Sequence, residues 1–237
     1  MIRRNVLITG ITGNLGKACL RRFGDDEVTG FSRKRFVYKK AGEPETFIND
    51  DVTSQYQNYV LNDDPINLVI MAHGVQKLVY LNSLLAMTIE NYEMVMEENL
   101  TSAVKITNDL FYYERLAPNA LIVYCSSIQA SHPRRGRFAY AIAKAGLETL
   151  AKCVHAETGG KVRAVTLRLG QMEALMGGVE FTPEERVAME EKTEPIPWVS
   201  FRETAAFIDA LYYMNSVTGV TIPIMSGHGL TPIWPKG

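Results

Sequence analysis

A chain of 237 residues with 25 Lys and Arg against 26 Asp and Glu carries a formal net charge of -1, so nothing in its bulk charge points to a nucleic-acid or polyanion binder. With 46% hydrophobic and 22% charged residues it has the composition of an ordinary globular protein, long enough to bury a substantial core as a single domain spanning 1–237. No stretch approaches the roughly 18 to 20 apolar residues that cross a bilayer, and the apolar run "VLI" near the start is too short for a secretion signal.

Short aliphatic runs alternate with helical patterns along the chain. The strand candidates are "NVLIT" (5–9), "EVTGF" (27–31), "TFIN" (46–49), "NLVIM" (67–71), "ALIVYC" (120–125), "VRAVTL" (162–167) and "VTIPI" (220–224). Apolar residues at helical spacing fill "NLGKACLRRF", "SQYQNYVL", "TIENYEMVMEENLTSAVKITNDLFYYERL", "FAYAIAKAGLETLAKCVHAE" and "SFRETAAFIDALYYM". Near-continuous apolar strands are those buried on both faces, so the expectation is α/β: a doubly wound parallel sheet of about seven strands with helices on either side. The least regular stretch, 171–199, contains Gly177, Gly178, Pro183, Pro195 and Pro197 and is a candidate substrate loop. Cys19, Cys125 and Cys153 lack C-x-x-C spacing and read as reduced, buried thiols of a cytoplasmic protein. His73, His132, His155 and His228 show no ligand spacing, so no metal is expected.

The turn after the first strand, "TGITGNLG", places Gly10, Gly13 and Gly16 ahead of a helix beginning near Asn14 and Leu15. Glycines there let backbone amides approach a pyrophosphate at the positive end of the helix, although a plain tight turn has the same residues. At the end of the second strand, where a carboxylate commonly holds an NAD ribose, stands "FSRKRF". Its cations suit a 2′-phosphate, with Arg33 best placed to grip it through two hydrogen bonds, so NADP(H) is preferred over NAD(H). A solvated basic turn is the competing reading.

Further motifs follow in order: "NDDVTS", "MAHG", "ENLTSAV", "YCSSIQA", "YAIAK", "RLG" and "MSGHGL". In this order and spacing the chain resembles the short-chain dehydrogenase/reductase family over nearly its full length. The resemblance implies an NAD(P)-binding Rossmann fold and a cofactor site drawn from Gly10, Thr12, Gly13, Asn14, Leu15, Gly16, Ser32, Arg33, Asp51, Val52, Ala72, Gly74, Tyr140, Lys144, Gly170 and Met172. It implies that Asp51 and Val52 lie beside the adenine. It further implies a catalytic set of Ser127, Tyr140, Lys144 and Asn99, the last binding a water through a backbone distortion and linking the lysine to solvent. "MAHG" departs from the family's Asn-Asn-Ala-Gly, and the loss of bracing amides at Met71 and Ala72 is expected to loosen the site. The G-x-x-G-x-x-G spacing resembles the family's extended branch, which contains sugar-nucleotide epimerases and dehydratases, whereas the length favours compact reductases. A non-catalytic NADP-binding regulator is the third reading.

A Tyr and a Lys at i and i+4 share one helix face. A free phenol has a pKa near 10, and a nearby ammonium together with an oxidised nicotinamide would favour tyrosinate. Tyr140 then protonates a carbonyl oxygen on reduction and takes the proton back in reverse. Ser127, at a strand end, can hydrogen-bond the same oxygen. On a helical wheel Ala143, Leu147, Leu150 and Val154 form an apolar stripe bordered by Tyr140 and Lys144, which makes the lysine half-buried. Ile142, Ala145, Gly146, Thr149 and Cys153, on the opposite side, are poor in charge and predict a subunit interface, and the family resemblance implies a homodimer or homotetramer formed through this helix. The run Arg134, Arg135 and Arg137 could meet a substrate anion or be a solvated loop. The substrate is a small carbonyl or alcohol whose identity stays open.

Overall fold

The computed structural model describes residues 3–32, 35–39, 46–48, 64–77, 89–173 and 198–226. Six strands run parallel in the order β2 (Glu27–Ser32), β1 (Asn5–Thr9), β5 (Ile66–Met71), β6 (Leu116–Ser127), β7 (Arg163–Leu169), β8 (Val220–Ile224). Strands β3 (Arg35–Lys39) and β4 (Thr46–Ile48) extend the sheet beyond β2 with antiparallel pairings. The expected doubly wound parallel sheet is present, with eight described strands, six of them parallel, where about seven were expected. The added strand, "RFVYK", was hidden because its apolar centre is only three residues long and sits in a basic run. The Ser32↔Arg35 pairing makes that run part of a hairpin.

Alternation along the central strands supplies two cores. Val6, Ile8, Leu68, Ile70, Leu121, Val123, Val165 and Leu167 face one side, where helices α1 (Asn14–Arg22) and, near the chain's end, Phe201–Tyr212 cover them. Leu7, Val69, Met71, Ile122 and Tyr124 face the other side, under α3 (Ser102–Tyr112) and α4 (Phe138–Thr158). Helix Phe201–Tyr212 is α5, capped by the Ser200 hydroxyl, which accepts from the Glu203 amide at 3.4 Å.

The long helix predicted through 88–116 runs from Ile89 to Tyr112, with one irregular turn inside it. α2 (Ile89–Met96) gives way to a π-helical turn, Glu97–Thr101, before α3 begins, and α3 ends at Tyr112. The Asn99 amide supplies the cause: Nδ2 donates to the Val95 carbonyl at 2.8 Å, competing for an acceptor that an uninterrupted α-helix would reserve for a backbone amide. "SQYQNYVL" lies outside the described residues.

The parallel sheet reverses its winding between β1 and β5, where open α/β sheets leave a crevice at the carboxyl ends of their strands. An ionic cluster holds this region from below. Arg4, preceding β1, pairs with Asp26 and with Asp209 of α5, each at 2.6 Å, and Asp209 also accepts from Arg22 of α1. Burial alone would raise the Asp209 carboxyl, but hydrogen bonds from Arg4 and Arg22 outweigh it and hold the group below the usual carboxylate range. The carboxylate's contribution to stability is therefore present above that range and is lost as pH falls through the depressed value. Asp209→Asn is expected to cost about 2 kcal/mol in urea unfolding at pH 7, and the gap from wild type should close in strong acid.

Candidate active site

At the carboxyl end of β1 the chain turns sharply through Gly10, whose φ of +72° lies in the left-handed region that favours glycine. A side chain at Gly10 would meet the Ala72 carbonyl and the His73 backbone at 2.8 Å, so the turn rests directly on the segment that follows β5. At Gly16 a Cβ would collide with the Gly10 carbonyl. The Gly10 and Ile11 amides bond the Phe31 carbonyl at 2.7 and 3.2 Å, and the Gly13 amide bonds Gly10 O at 2.9 Å. Those bonds fix the shape of the turn. The first-turn amides of α1, from Asn14 to Gly16, have no acceptor one turn back and suit an anion. Thr12 is exposed, Gly13 and Asn14 are half-buried, and Leu15 is buried.

Across the crevice, α4 starts at Phe138 and its small residues let it sit tightly on the sheet: Ala139, Ala143 and Ala151 are each buried to 1% exposure or less. Tyr140 and Lys144 point inward from this face, with the ammonium 5.4 Å from the phenol ring centroid. Lys144 Nζ donates to the Cys125 carbonyl of β6 at 3.0 Å. The lysine is 3% exposed, which corrects the half-buried expectation: the wheel counted α4's own residues, whereas β6 closes over its stem.

Ser127 ends β6, and its Oγ accepts from the Gln129 amide at 3.2 Å, leaving the hydroxyl proton for another acceptor. Burial pushes the Tyr140 phenol up to about 12, against the lowering effects of its hydrogen bond with Ser127 and the charge of Arg137. This direction is opposite to the fall expected from the sequence, because desolvation outweighs the cations in the protein by itself. Burial also lowers Lys144, to about 8, with Cys125 opposing.

Asn99 is buried in the π turn. Its Nδ2 donates to the carbonyls of Val75 and Val95, both at 2.8 Å, while its Oδ1 has no partner among the described residues. A side chain at Gly74 would strike that same Oδ1 and come within 3.3 Å of Lys144 Nζ. The unpaired oxygen and the ammonium thus face one glycine. Behind them, Glu148 accepts from Ser126 Oγ at 3.0 Å and from Arg168 Nε at 2.8 Å, binding α4 to β6 and β7.

Of the remaining sequence-derived residues, Ser32 closes β2, Ala72 donates its amide to Thr9 O at 3.3 Å, and Gly170 donates to Ile224 O at 2.9 Å. Met172 bridges to Val199. Arg33, Asp51, Val52 and residues 174–197 of the candidate loop lie outside the described residues. Arg134 and Arg135 are exposed, and Arg137 is half-buried beside Tyr140. The apolar back of α4 is partly covered within the chain, since Gly146 abuts the Leu100 side chain, whereas Ile142 is exposed. Cys153 on the same side of the helix is also exposed, which corrects its expected burial, while Cys19 and Cys125 are buried. Sequence reasoning missed His73. Its ring nitrogens meet Thr9 Oγ1 at 2.5 Å and Ser102 Oγ at 2.9 Å, and the available signal was a polar ring at a strand's carboxyl end beside a glycine.

A glycine turn against a parallel-sheet switch point, with a Tyr and a Lys side by side on one helix, defines an α/β protein of the dinucleotide-binding class. The family model for short chain dehydrogenase matches residues 4–184, so the chain belongs to that family and is an oxidoreductase acting on CH-OH and C=O groups. Members bind NAD(P)(H) and act on small molecules. The chain is 25% identical to the 3-oxoacyl-[acyl-carrier-protein] reductase MabA of Mycobacterium avium, over 97% of this chain and 91% of that protein. Among solved structures, a short chain dehydrogenase family protein from Francisella tularensis superposes with a TM-score of 0.77 at 20% identity, covering 97% of this chain and 100% of that one. A 4-hydroxyisoleucine dehydrogenase complexed with NADH gives 0.79 at 16% identity, with coverage of 97% and 100%. Among the described residues no helix is long and apolar enough to cross a membrane, and no cluster of metal-ligating side chains occurs.

The buried lysine has a measurable signature. The unfolded chain holds the Lys144 proton up to about 10.5 and the native chain only to about 8, so native stability should rise with pH across that window. The difference in urea-unfolding free energy between wild type and Lys144→Met is expected to shift by about 3 kcal/mol in favour of wild type from pH 8 to 10.5.

Proposed function

We propose that the chain is an NADP(H)-dependent carbonyl reductase, working in either direction, with Tyr140 as the proton donor and acceptor. The observation that carries this reading is the convergence of Ser127, Tyr140, Lys144 and Asn99 beside the β1 and β5 crevice. The residues fit a dinucleotide: first-turn amides of α1 suit its pyrophosphate, and the unpartnered Asn99 Oδ1 and Lys144 Nζ offer polar partners near Gly74. When bound, the reduced dinucleotide supplies the hydride.

Tyr140 gives its phenolic proton to the carbonyl oxygen as charge builds there, and Ser127 donates a hydrogen bond to the same oxygen. A phenol held near 12 stays protonated at neutral pH, so the proton needed for reduction is in place. For the reverse direction it must be drawn down, which Ser127 and Arg137 favour, and which the nearby Lys144 ammonium and a positively charged oxidised nicotinamide would favour further. Lys144 would hold the nicotinamide ribose, and Asn99 would hold a water that links Lys144 to solvent. Gly170 and Met172 border the nicotinamide end, with Asp51 and Val52 at the adenine.

Arg33 in "FSRKRF" is the proposed grip on a 2′-phosphate. The Mycobacterium avium relative is named for reducing a 3-oxoacyl group, which supports a ketone as substrate class. The proposed unit is one domain over 1–237 with 171–199 lining the substrate side, in a cytoplasmic homodimer or homotetramer. Exposed Val104, Tyr112, Tyr113 and Ile142 on and beside α3 and α4 support self-association.

The test is a ketone, aldehyde and sugar-nucleotide panel followed at the nicotinamide absorbance band, with NADPH and NADH compared. Tyr140→Phe is expected to lose about 10³-fold in kcat while NADPH affinity stays within about threefold of wild type. Equal turnover in that variant defeats the mechanism, a preference for NADH defeats the role of Arg33, and conversion without net NADPH consumption points to a nonreductive member.

A further inference from the structure

The segment 72–75 is the common wall of the candidate site. On one side its backbone supports Gly10, and on the other Gly74 and the Val75 carbonyl meet Asn99, with Lys144 Nζ close by. Neither Met71 nor Ala72 carries a side-chain amide with which to brace this wall. His73 stands in the middle of the segment and makes that brace. One ring nitrogen reaches Thr9 of β1 at 2.5 Å and the other Ser102 of α3 at 2.9 Å.

We propose that His73 is a positioning residue for the dinucleotide, an inference that rests on the function proposed above: its neutral ring ties β1 to α3 and thereby fixes the 72–75 wall against the glycine turn. A neutral imidazole donates through one nitrogen and accepts at the other, and the two hydroxyls can rotate to match either tautomer. Of the groups facing the ring, Thr9 on β1 and Ser102 on α3 are neutral, and Lys144 on α4 is the cation. Burial, followed by repulsion from Lys144, pushes the imidazole down to about 4, so the clamp stays uncharged across the physiological range. Because the same segment touches both the turn and Asn99, slackening it loosens the two ends of the cleft together.

The experiment is fluorescence titration of the whole chain with NADPH and NADH, in wild type, His73→Leu, His73→Asn and Ser102→Ala, with nitrogen-15 imidazole spectra from pH 5 to 8. His73→Leu fills similar space without the two bonds and is expected to bind the preferred nucleotide about tenfold more weakly. His73→Asn, which keeps a polar group facing Thr9, should recover most of that loss. The His73 resonance should remain that of a neutral ring at pH 5.5, where a free imidazole with a pKa near 6.5 is mostly charged. Unchanged affinity in His73→Leu, no recovery in His73→Asn, or protonation near pH 6.5 overturns the inference. Should His73→Leu fail to fold, Ser102→Ala decides: about threefold weaker binding is expected, and unchanged affinity overturns the role. Wild type that binds neither nucleotide overturns the proposed function and this inference with it, whereas normal wild-type binding beside unaffected variants overturns this inference alone.

Discussion

A lysine ammonium enclosed between α4 and β6, with the Cys125 carbonyl as acceptor, is the constraint around which the rest of the site is arranged. Burying such a group is costly, and the protein meets the cost with position. Small residues bring α4 down onto the sheet, and Glu148, one turn past the lysine, locks that helix to Ser126 and Arg168. The same closeness buries the Tyr140 phenol and keeps it protonated. One packing arrangement thus sets both the location and the protonation of Tyr140 and Lys144.

Much of the fold was legible because the central strands are apolar on both faces, and that pattern admits few arrangements. The glycine turn, the helix after it and the helix carrying Tyr140 all lie where spacing placed them. Strand β3 was not legible, since a three-residue apolar centre inside a basic run resembles a turn. Full burial of Lys144 also escaped the helical wheel, which cannot see the strand that covers a stem. His73 escaped for a related reason: its partners Thr9 and Ser102 are 64 and 29 residues away, and only the folded sheet brings them to one ring.

The departures from the family pattern look different once the geometry is known. Losing the asparagines of the strand-end motif suggested a looser site, yet a histidine within the same four residues supplies bonds to two separate elements. The ionic cluster of Arg4, Arg22, Asp26 and Asp209 works at the opposite end of β1, joining α1 and α5 beneath the turn. The first strand is therefore fastened at its base by charge and at its tip by neutral hydroxyl and imidazole groups. That division suits its surroundings, because a second cation at the tip would oppose Lys144.

The π-helical turn at Glu97–Thr101 also does some arithmetic on the chain. A π turn accommodates one residue more than an α-helix would, so a wheel drawn straight through 88–116 falls about 100° out of phase beyond it. Val95 before the turn joins Ala139 and Tyr140 in one apolar cluster, while Ala103 and Leu110 after it join the sheet's core. A single rod of helix thereby serves two separate interiors. A chain one residue shorter at this point could keep both apolar stripes in α-helical register, but it would lose the opening in which Asn99 sits.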